Sequence, residues 1–69
     1  MKYKALKARY KAEIAIAKAE LSNYFENPVG VGDHPHIIDS MDGLVGQIAQ
    51  AEEKLTALEY FARYEYDIE

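Results

Sequence analysis

ENPVGVGDHPHI, residues 26–37, is the stretch that decides the fold, because it separates two long segments rich in alanine and leucine. It holds both prolines, both histidines and two of the four glycines. The residue before Pro28 avoids the α region, which predicts the end of a first helix. Asp33 is a suitable N-cap, and Pro35 suits the first turn of a second helix. The predicted elements are a first helix at about 2–26, a loop at 27–34 and a second helix at about 35–66.

The second segment carries the clearest periodicity in the chain. Apolar residues recur at alternating spacings of four and three for nearly four heptads, which is typical of coiled-coil packing. The predicted seam consists of Ile37, Met41, Leu44, Ile48, Ala51, Leu55, Leu58 and Ala62. Gly43 and Gly46 fall on the back of this helix, and each weakens it by about 1 kcal/mol relative to alanine. Either another backbone approaches closely there, or the helix tolerates both glycines.

The first segment has two apolar stripes. One stripe consists of Tyr3, Tyr10, Ile14, Ala17, Leu21 and Tyr24. The other, the alanine stripe, consists of Ala5, Ala8, Ala12, Ala15 and Ala19. At about 100° per residue the two stripes lie almost opposite each other, so a two-helix hairpin covers only one of them. The alanine stripe reflects either the helix propensity of alanine or the packing of a further helix, and its regularity favours packing.

The length of the chain limits how it gains stability. Its 69 residues, 1–69, form a single domain at most, and a chain of this size buries only about 60% of its unfolded surface. Disulfides, metals or self-association usually supply what such a small core lacks. The absence of cysteine excludes disulfides, thiolate metal sites and cysteine nucleophiles. Together with the alanine stripe, this predicts an all-α antiparallel hairpin that assembles into a homo-oligomeric helical bundle.

Charge is unevenly distributed and indicates the antiparallel arrangement. The basic residues at the start are Lys2, Lys4, Lys7, Arg9 and Lys11, and the acidic residues at the end are Glu59, Glu65, Asp67 and Glu69. Each cluster opposes the dipole of its own helix, which favours acids at the N-terminus and bases at the C-terminus. An antiparallel hairpin brings the opposite charges together.

The overall composition argues against some classes of partner and predicts the cellular location. A net charge of −4 argues against general nucleic-acid binding, because phosphate neutralisation supplies most of that affinity. No stretch approaches the ~20 apolar residues of a membrane span. The first residues lack the apolar region of a secretory signal. We therefore expect a cytoplasmic protein without membrane contacts.

One flank of the first helix, the basic flank, lies beside tyrosines. Its lysines are Lys4, Lys7, Lys11 and Lys18, which occupy a narrow arc between the two stripes. They either pair with Glu52, Glu53 or Glu59 on the second helix or bind an anion. Aromatic residues gather at the same end of the hairpin, usually as core or interface and less often as a surface on which bases stack. The candidate ligand-binding residues here are Tyr3, Lys4, Lys7, Tyr10 and Lys11.

The loop offers a second candidate site. Gly30 and Gly32 precede a helix N-terminus, which favours an anion, and His34 and His36 add hydrogen-bond donors. However, the stretch lacks the lysine and serine of a phosphate-binding loop and a preceding strand. Turning the chain explains every residue type in it.

Neither a metal site nor a catalytic centre is predicted. The two histidines are two residues apart and would not share a helical face, and no third ligand stands at a familiar spacing. No serine or threonine stands beside a histidine base, and the carboxylates are spread along surfaces. The sequence therefore predicts a protein that is not an enzyme and needs no cofactor.

The stretch NYFENPVGVGDHPHIIDSMDGLVGQIAQAEEKLTALE, residues 23–59, covers about half of the chain. It resembles small uncharacterised helical-hairpin proteins of tailed bacteriophages, which bring no assigned activity. In architecture alone, the predicted oligomeric hairpin is similar to viral sponge proteins. Those are small helical oligomers that sequester nucleotide immune signals, held at subunit interfaces by aromatic residues and by basic or backbone donors. Fold does not imply function, so the similarity is one of architecture.

Two functional hypotheses follow. The first is an anti-defence sponge of a bacteriophage that captures a small phosphorylated nucleotide between subunits, in the host cytoplasm. The second is a protein-interaction module, such as an assembly chaperone, adaptor or inhibitor that docks a helical face onto a host or viral protein. The alanine stripe discriminates between them. Self-association that covers the stripe favours the first, and a stripe left exposed in solution favours the second.

Overall fold

A computed structural model describes residues 1–27 and 36–68 in full and residues 34 and 35 by their backbone. It contains two α-helices, α1 at Lys2–Glu26 and α2 at His34–Tyr66, and no strand within the described ranges. The all-α, two-helix prediction is therefore confirmed. No helix of the described residues is long and apolar enough to cross a membrane.

The two helices lie antiparallel, and two ion pairs between them define the register. Lys7 Nζ lies 3.0 Å from Glu59 Oε2, and Lys18 Nζ lies 3.9 Å from Glu52 Oε2. Partners that advance along α1 retreat along α2, as an antiparallel hairpin requires. The predicted pairing of the basic flank with glutamates of the second helix is confirmed for these two lysines. The hairpin measures 49 × 16 × 14 Å, close to the ~50 Å length of α2 alone.

The inner face of α2 matches the predicted seam residue by residue. Leu44, Ala51 and Ala62 are buried. The remaining seam residues are half-buried: Ile37, Met41, Ile48, Leu55 and Leu58. The heptad spacing keeps one stripe toward α1 over the whole length of the helix. The periodicity therefore located the face on which α2 packs.

The inner face of α1 is the tyrosine-bearing stripe, with two additions. Ala17 is buried at 1% exposure, and the other members of the predicted stripe are half-buried. Leu6 and Lys7 are half-buried as well, although neither belongs to the predicted stripe. Lys7 occupies the seam position between Tyr3 and Tyr10. A lysine fits there because its stem covers apolar surface while its ammonium group reaches Glu59.

Both helices end at polar residues. At the end of α1, the Asn27 amide N–H donates to the Asn23 carbonyl (2.9 Å), and Asn27 Nδ2 donates to Asn23 Oδ1 (2.9 Å). At the end of α2, Asp67 adopts a left-handed conformation with φ 56°. Asparagine and aspartate tolerate this region better than other residues with a side chain. The turn lets the Ile68 amide donate to the Ala62 carbonyl (2.9 Å), which folds Ile68 back along the helix.

Burial within one hairpin is thin. Among the residues whose side chains are described, only four are buried, and three of these are alanines: Ala17, Leu44, Ala51 and Ala62. The accessible surface is 5503 Å², whereas a compact monomer of this mass exposes about 4,400 Å². A single hairpin therefore leaves more surface in water than a folded chain of its size usually does.

The two glycines of α2 are in open space. A Cβ built on Gly43 or Gly46 would meet nothing within 4 Å. Within the hairpin, no close backbone approach requires either glycine. The two interpretations from the sequence now depend on whether a second molecule packs on this side.

Candidate functional site

A groove lies at the end of the hairpin away from residues 27–34, and we call it the tip groove. It is partly open, with a volume of about 400 Å³. Both helices contribute to it, since the antiparallel register places the start of α1 beside the end of α2. The lining residues are Tyr3, Lys7, Thr56, Glu59, Tyr60, Arg63, Tyr64 and Ile68.

Three tyrosines provide the aromatic part of the tip groove. The rings of Tyr60 and Tyr64 contact each other, with centroids 4.6 Å apart and planes tilted by 43°. Their residues remain 67% and 65% exposed. Tyr60 and Tyr64 lie one helical turn apart, so their rings form one continuous surface on α2. Tyr3, on α1, lines the same groove. Lys7 Nζ lies over its ring, 5.7 Å from the ring centroid.

The ion pair between Lys7 and Glu59 forms part of the groove wall. Their side chains are 27% and 44% exposed. The hydrogen bond from Lys7 to Glu59 raises the pKa of the lysine, against a smaller lowering by desolvation. Tyr3 and the charge of Glu59 raise it further. Lys7 therefore stays protonated, and its charge is already compensated within the protein.

Arg63 supplies the second cation of the groove. It lies in the last turn of α2, where a basic residue interacts favourably with the helix dipole. Within residues 1–27 and 36–68 no carboxylate lies within ion-pair distance of its guanidinium group. By contrast, Arg9, the other arginine of the chain, donates to Glu13 Oε2 at 3.2 Å. Among the described residues, Arg63 is therefore the cation of the tip groove that has no ion-pair partner.

The structure divides the candidate residues of the basic flank. Tyr3 and Lys7 line the tip groove. Tyr10 is half-buried in the seam, and Lys54 Nζ lies 6.0 Å from its ring centroid. Lys4 and Lys11 are exposed and lie outside the groove. The structure thus brings only two of these five candidates together.

The loop candidates lie mostly outside the described residues. Gly30 and Gly32 fall there, as do Asp33 and the side chain of His34. His36 is exposed on the first turn of α2. In the described part of the chain, no group of three histidines, cysteines or acids could hold a metal ion. The anion-site hypothesis for the loop stays a prediction.

The alanine stripe lies on the outer surface of the hairpin. All five members are exposed: Ala5, Ala8, Ala12, Ala15 and Ala19. Ile16 borders the stripe at 60% exposure. On α2, Ile38 and Val45 are also exposed, at 70% and 50%. Apolar surface therefore remains outside the seam on both helices.

Three residues that line the groove were not predicted from the sequence: Arg63, Thr56 and Ile68. Arg63 lies one turn beyond Glu59, so the register of the Lys7–Glu59 pair would have placed it beside the tyrosines. The same register accounts for Thr56. No periodicity indicates Ile68, because it follows the helix and reaches the groove only through the left-handed turn at Asp67.

Comparisons with known proteins identify no relative. No known protein family matches the chain, and neither does any curated protein or solved structure. The resemblance to phage hairpin proteins and the architectural similarity to sponge proteins stay predictions.

Proposed function

We propose that this chain is a non-enzymatic binding protein that works as a homo-oligomer of helical hairpins. The observation that carries the proposal is the outer surface of α1. Five alanines at heptad spacing stay exposed there, while the hairpin buries only four described side chains. Small residues at this spacing allow a second helix to approach closely, and association covers surface that one small domain cannot bury. The protein then acts through its helical faces, in the cytoplasm.

The test is the mass of the protein in solution. Sedimentation velocity between about 1 and 300 μM should give an oligomer for the natural chain. Ala12→Glu places a charge in the centre of the alanine stripe and should yield a monomer, because burying an unpaired carboxylate is costly. Ala57→Glu, on an exposed position of α2 outside the stripe, is the matched control and should assemble normally.

A monomeric natural chain would overturn self-assembly. The alanine stripe would then be a docking face for a different helical protein, which is the chaperone, adaptor or inhibitor hypothesis. Assembly that survives Ala12→Glu would place the subunit contact elsewhere, for example on the exposed flank of α2 with Ile38 and Val45.

A second proposal is the capture of a small phosphorylated nucleotide, as in viral sponge proteins. The tip groove favours it, because one cavity is lined by tyrosines and by Arg63, which has no ion-pair partner among the described residues. The basic flank favours it less, because Lys7 and Lys18 are paired with glutamates of α2. Native mass spectrometry tests this proposal on protein purified directly from the cells that produce it, including virus-infected cells. Bound mass of nucleotide size that is lost on refolding would support it.

A further inference from the structure

In the described part of the chain, the tip groove combines a cation that has no ion-pair partner, Arg63, with the exposed aromatic residues Tyr60 and Tyr64. We propose that it binds a nucleoside phosphate, with the base stacked on Tyr60 and Tyr64 and the phosphate held by Arg63. The inference rests on the second proposal above, nucleotide capture. It moves the site from the lysines of α1 to residues of α2.

Arg63 has the chemistry of the phosphate contact. Its planar guanidinium presents N–H donors in a fork that matches two phosphate oxygens. Since no described carboxylate pairs with it, an incoming phosphate would not have to displace a protein anion. Lys7 lacks this advantage, because Glu59 already holds its ammonium group at 3.0 Å.

Tyr60 and Tyr64 form the base contact. Their rings pack against each other at 4.6 Å and still leave about two thirds of each residue exposed. Aromatic side chains bind the faces of all bases by stacking, with little dependence on which base is present. Tyr60 lies three residues before Arg63 on α2, and Tyr64 lies one residue after it. One ligand can therefore contact both features.

The size and surroundings of the groove indicate a small nucleotide rather than a nucleic-acid strand. A volume of about 400 Å³ lies in the range of small-molecule sites, roughly 300–1,000 Å³. Glu65, in the last turn of α2, and Asp67, just after the helix, are both exposed. They would repel a continuous phosphate backbone, as would the net charge of −4. A single nucleotide places only one phosphate cluster at Arg63.

The direct test is an NMR titration with AMP, observing the Nε–Hε signals of arginine. The chain has only two arginines, so the spectrum contains one reporter inside the groove and one outside it. We expect AMP to shift the Arg63 signal and the Tyr60 and Tyr64 ring signals, and to leave Arg9 unchanged. Adenosine should shift the rings alone, and inorganic phosphate should shift Arg63 alone. Both should bind more weakly than AMP.

Matched variants separate charge from stacking. Arg63→Gln should weaken AMP binding by about tenfold or more, because it removes a charged hydrogen bond. Arg63→Lys should restore part of the affinity, and Tyr64→Leu should weaken adenosine as strongly as AMP. Arg9→Gln is the control, and its affinity for AMP should equal that of the natural chain.

The possible failures are distinguishable. If AMP shifts signals elsewhere and Arg63→Gln binds normally, the groove is overturned while nucleotide capture stands. If AMP, adenosine and phosphate shift nothing at millimolar concentration, the groove is overturned, and native mass spectrometry that finds no bound nucleotide overturns nucleotide capture as well. Neither result affects self-assembly, which sedimentation of the same samples reports.

Discussion

The inner and outer faces of α1 have the same spacing and opposite environments. Both repeat at intervals of three and four, and both are apolar. The inner face carries tyrosine, isoleucine and leucine and packs on α2, whereas the outer face carries alanine and lies in water. The difference is side-chain size, since a large apolar side chain gains more from burial than a methyl group. Because the hairpin offers only one partner helix, the stripe with the larger side chains packs against it.

The middle of the inner face of α1 is an exception, because a small residue, Ala17, is buried there. Ala17 and Ala51 are both buried, at 1% and 3% exposure. The register of the two ion pairs places them at the same level of the hairpin. Two small side chains at one level let the helices approach closely. An alanine on α1 is therefore buried or exposed according to the face it occupies, not according to its own properties.

The largest expected effect comes from enlarging alanines on the two faces. Ala17→Leu overfills the seam and should cost about 1–3 kcal/mol of unfolding free energy, independent of protein concentration. Ala15→Leu, on the alanine stripe, makes the same chemical change in water. Its cost should act on association, so it should be small at low protein concentration and grow as the concentration rises above the dissociation constant of the natural chain. Urea denaturation followed by circular dichroism, at two concentrations about a hundredfold apart, measures both.

Equal and concentration-independent losses in the two variants would contradict the comparison. They would mean that both faces of α1 are buried inside one folding unit. A loss for Ala15→Leu alone would mean that the helices pack through the opposite face of α1.

A smaller effect is expected on the outer side of α2. Gly46→Ala should stabilise the hairpin by about 1 kcal/mol, because alanine is the better helix former and its methyl group meets nothing within 4 Å. The midpoint of urea denaturation measures this gain. If association weakens instead, a partner backbone approaches Gly46, and the close-approach interpretation of the glycines is correct. Gly43→Ala provides the neighbouring comparison on the same helix.

The smallest effect is a pH dependence from Lys7. The hydrogen bond to Glu59 raises the pKa of Lys7 above its ordinary value of 10.5. The stabilisation is therefore fully present below pH 10.5 and is lost as the pH rises through the raised pKa. The thermal midpoint of the natural chain should exceed that of Lys7→Met at pH 7, and the two should converge in strong alkali.

The measured quantity is the difference between the natural chain and Lys7→Met, because other effects of alkali act on both proteins. Lys18→Met is the control, since its ion pair with Glu52 is longer, at 3.9 Å, and more exposed. It should lower the midpoint less at pH 7. A constant difference between the natural chain and Lys7→Met from pH 7 to 12 would contradict a role for the ionised lysine.

The candidate site was predictable only in part. Tyr3 and Lys7 were identified because basic and aromatic residues share the start of α1, and both line the groove. Tyr10 was predicted to bind ligand together with them, but it is half-buried between the two helices and does not line the groove. Arg63 was missed because it stands alone among acids near the chain end, where local sequence offers no sign of a cation site. The residues of α1 that line the groove with it, Tyr3 and Lys7, lie about 60 positions earlier in the chain.

The sequence by itself determined the two helices, the position of the turn between them and the stripe through which each helix packs. These are local properties, since proline, glycine and heptad spacing act over a few residues. Only the tertiary structure decided which lysines form ion pairs, which tyrosines remain exposed to solvent and which residues surround Arg63. Those outcomes depend on the register between α1 and α2 and on the left-handed turn at Asp67. Register joins residues far apart in the chain, so periodicity along one helix does not encode it.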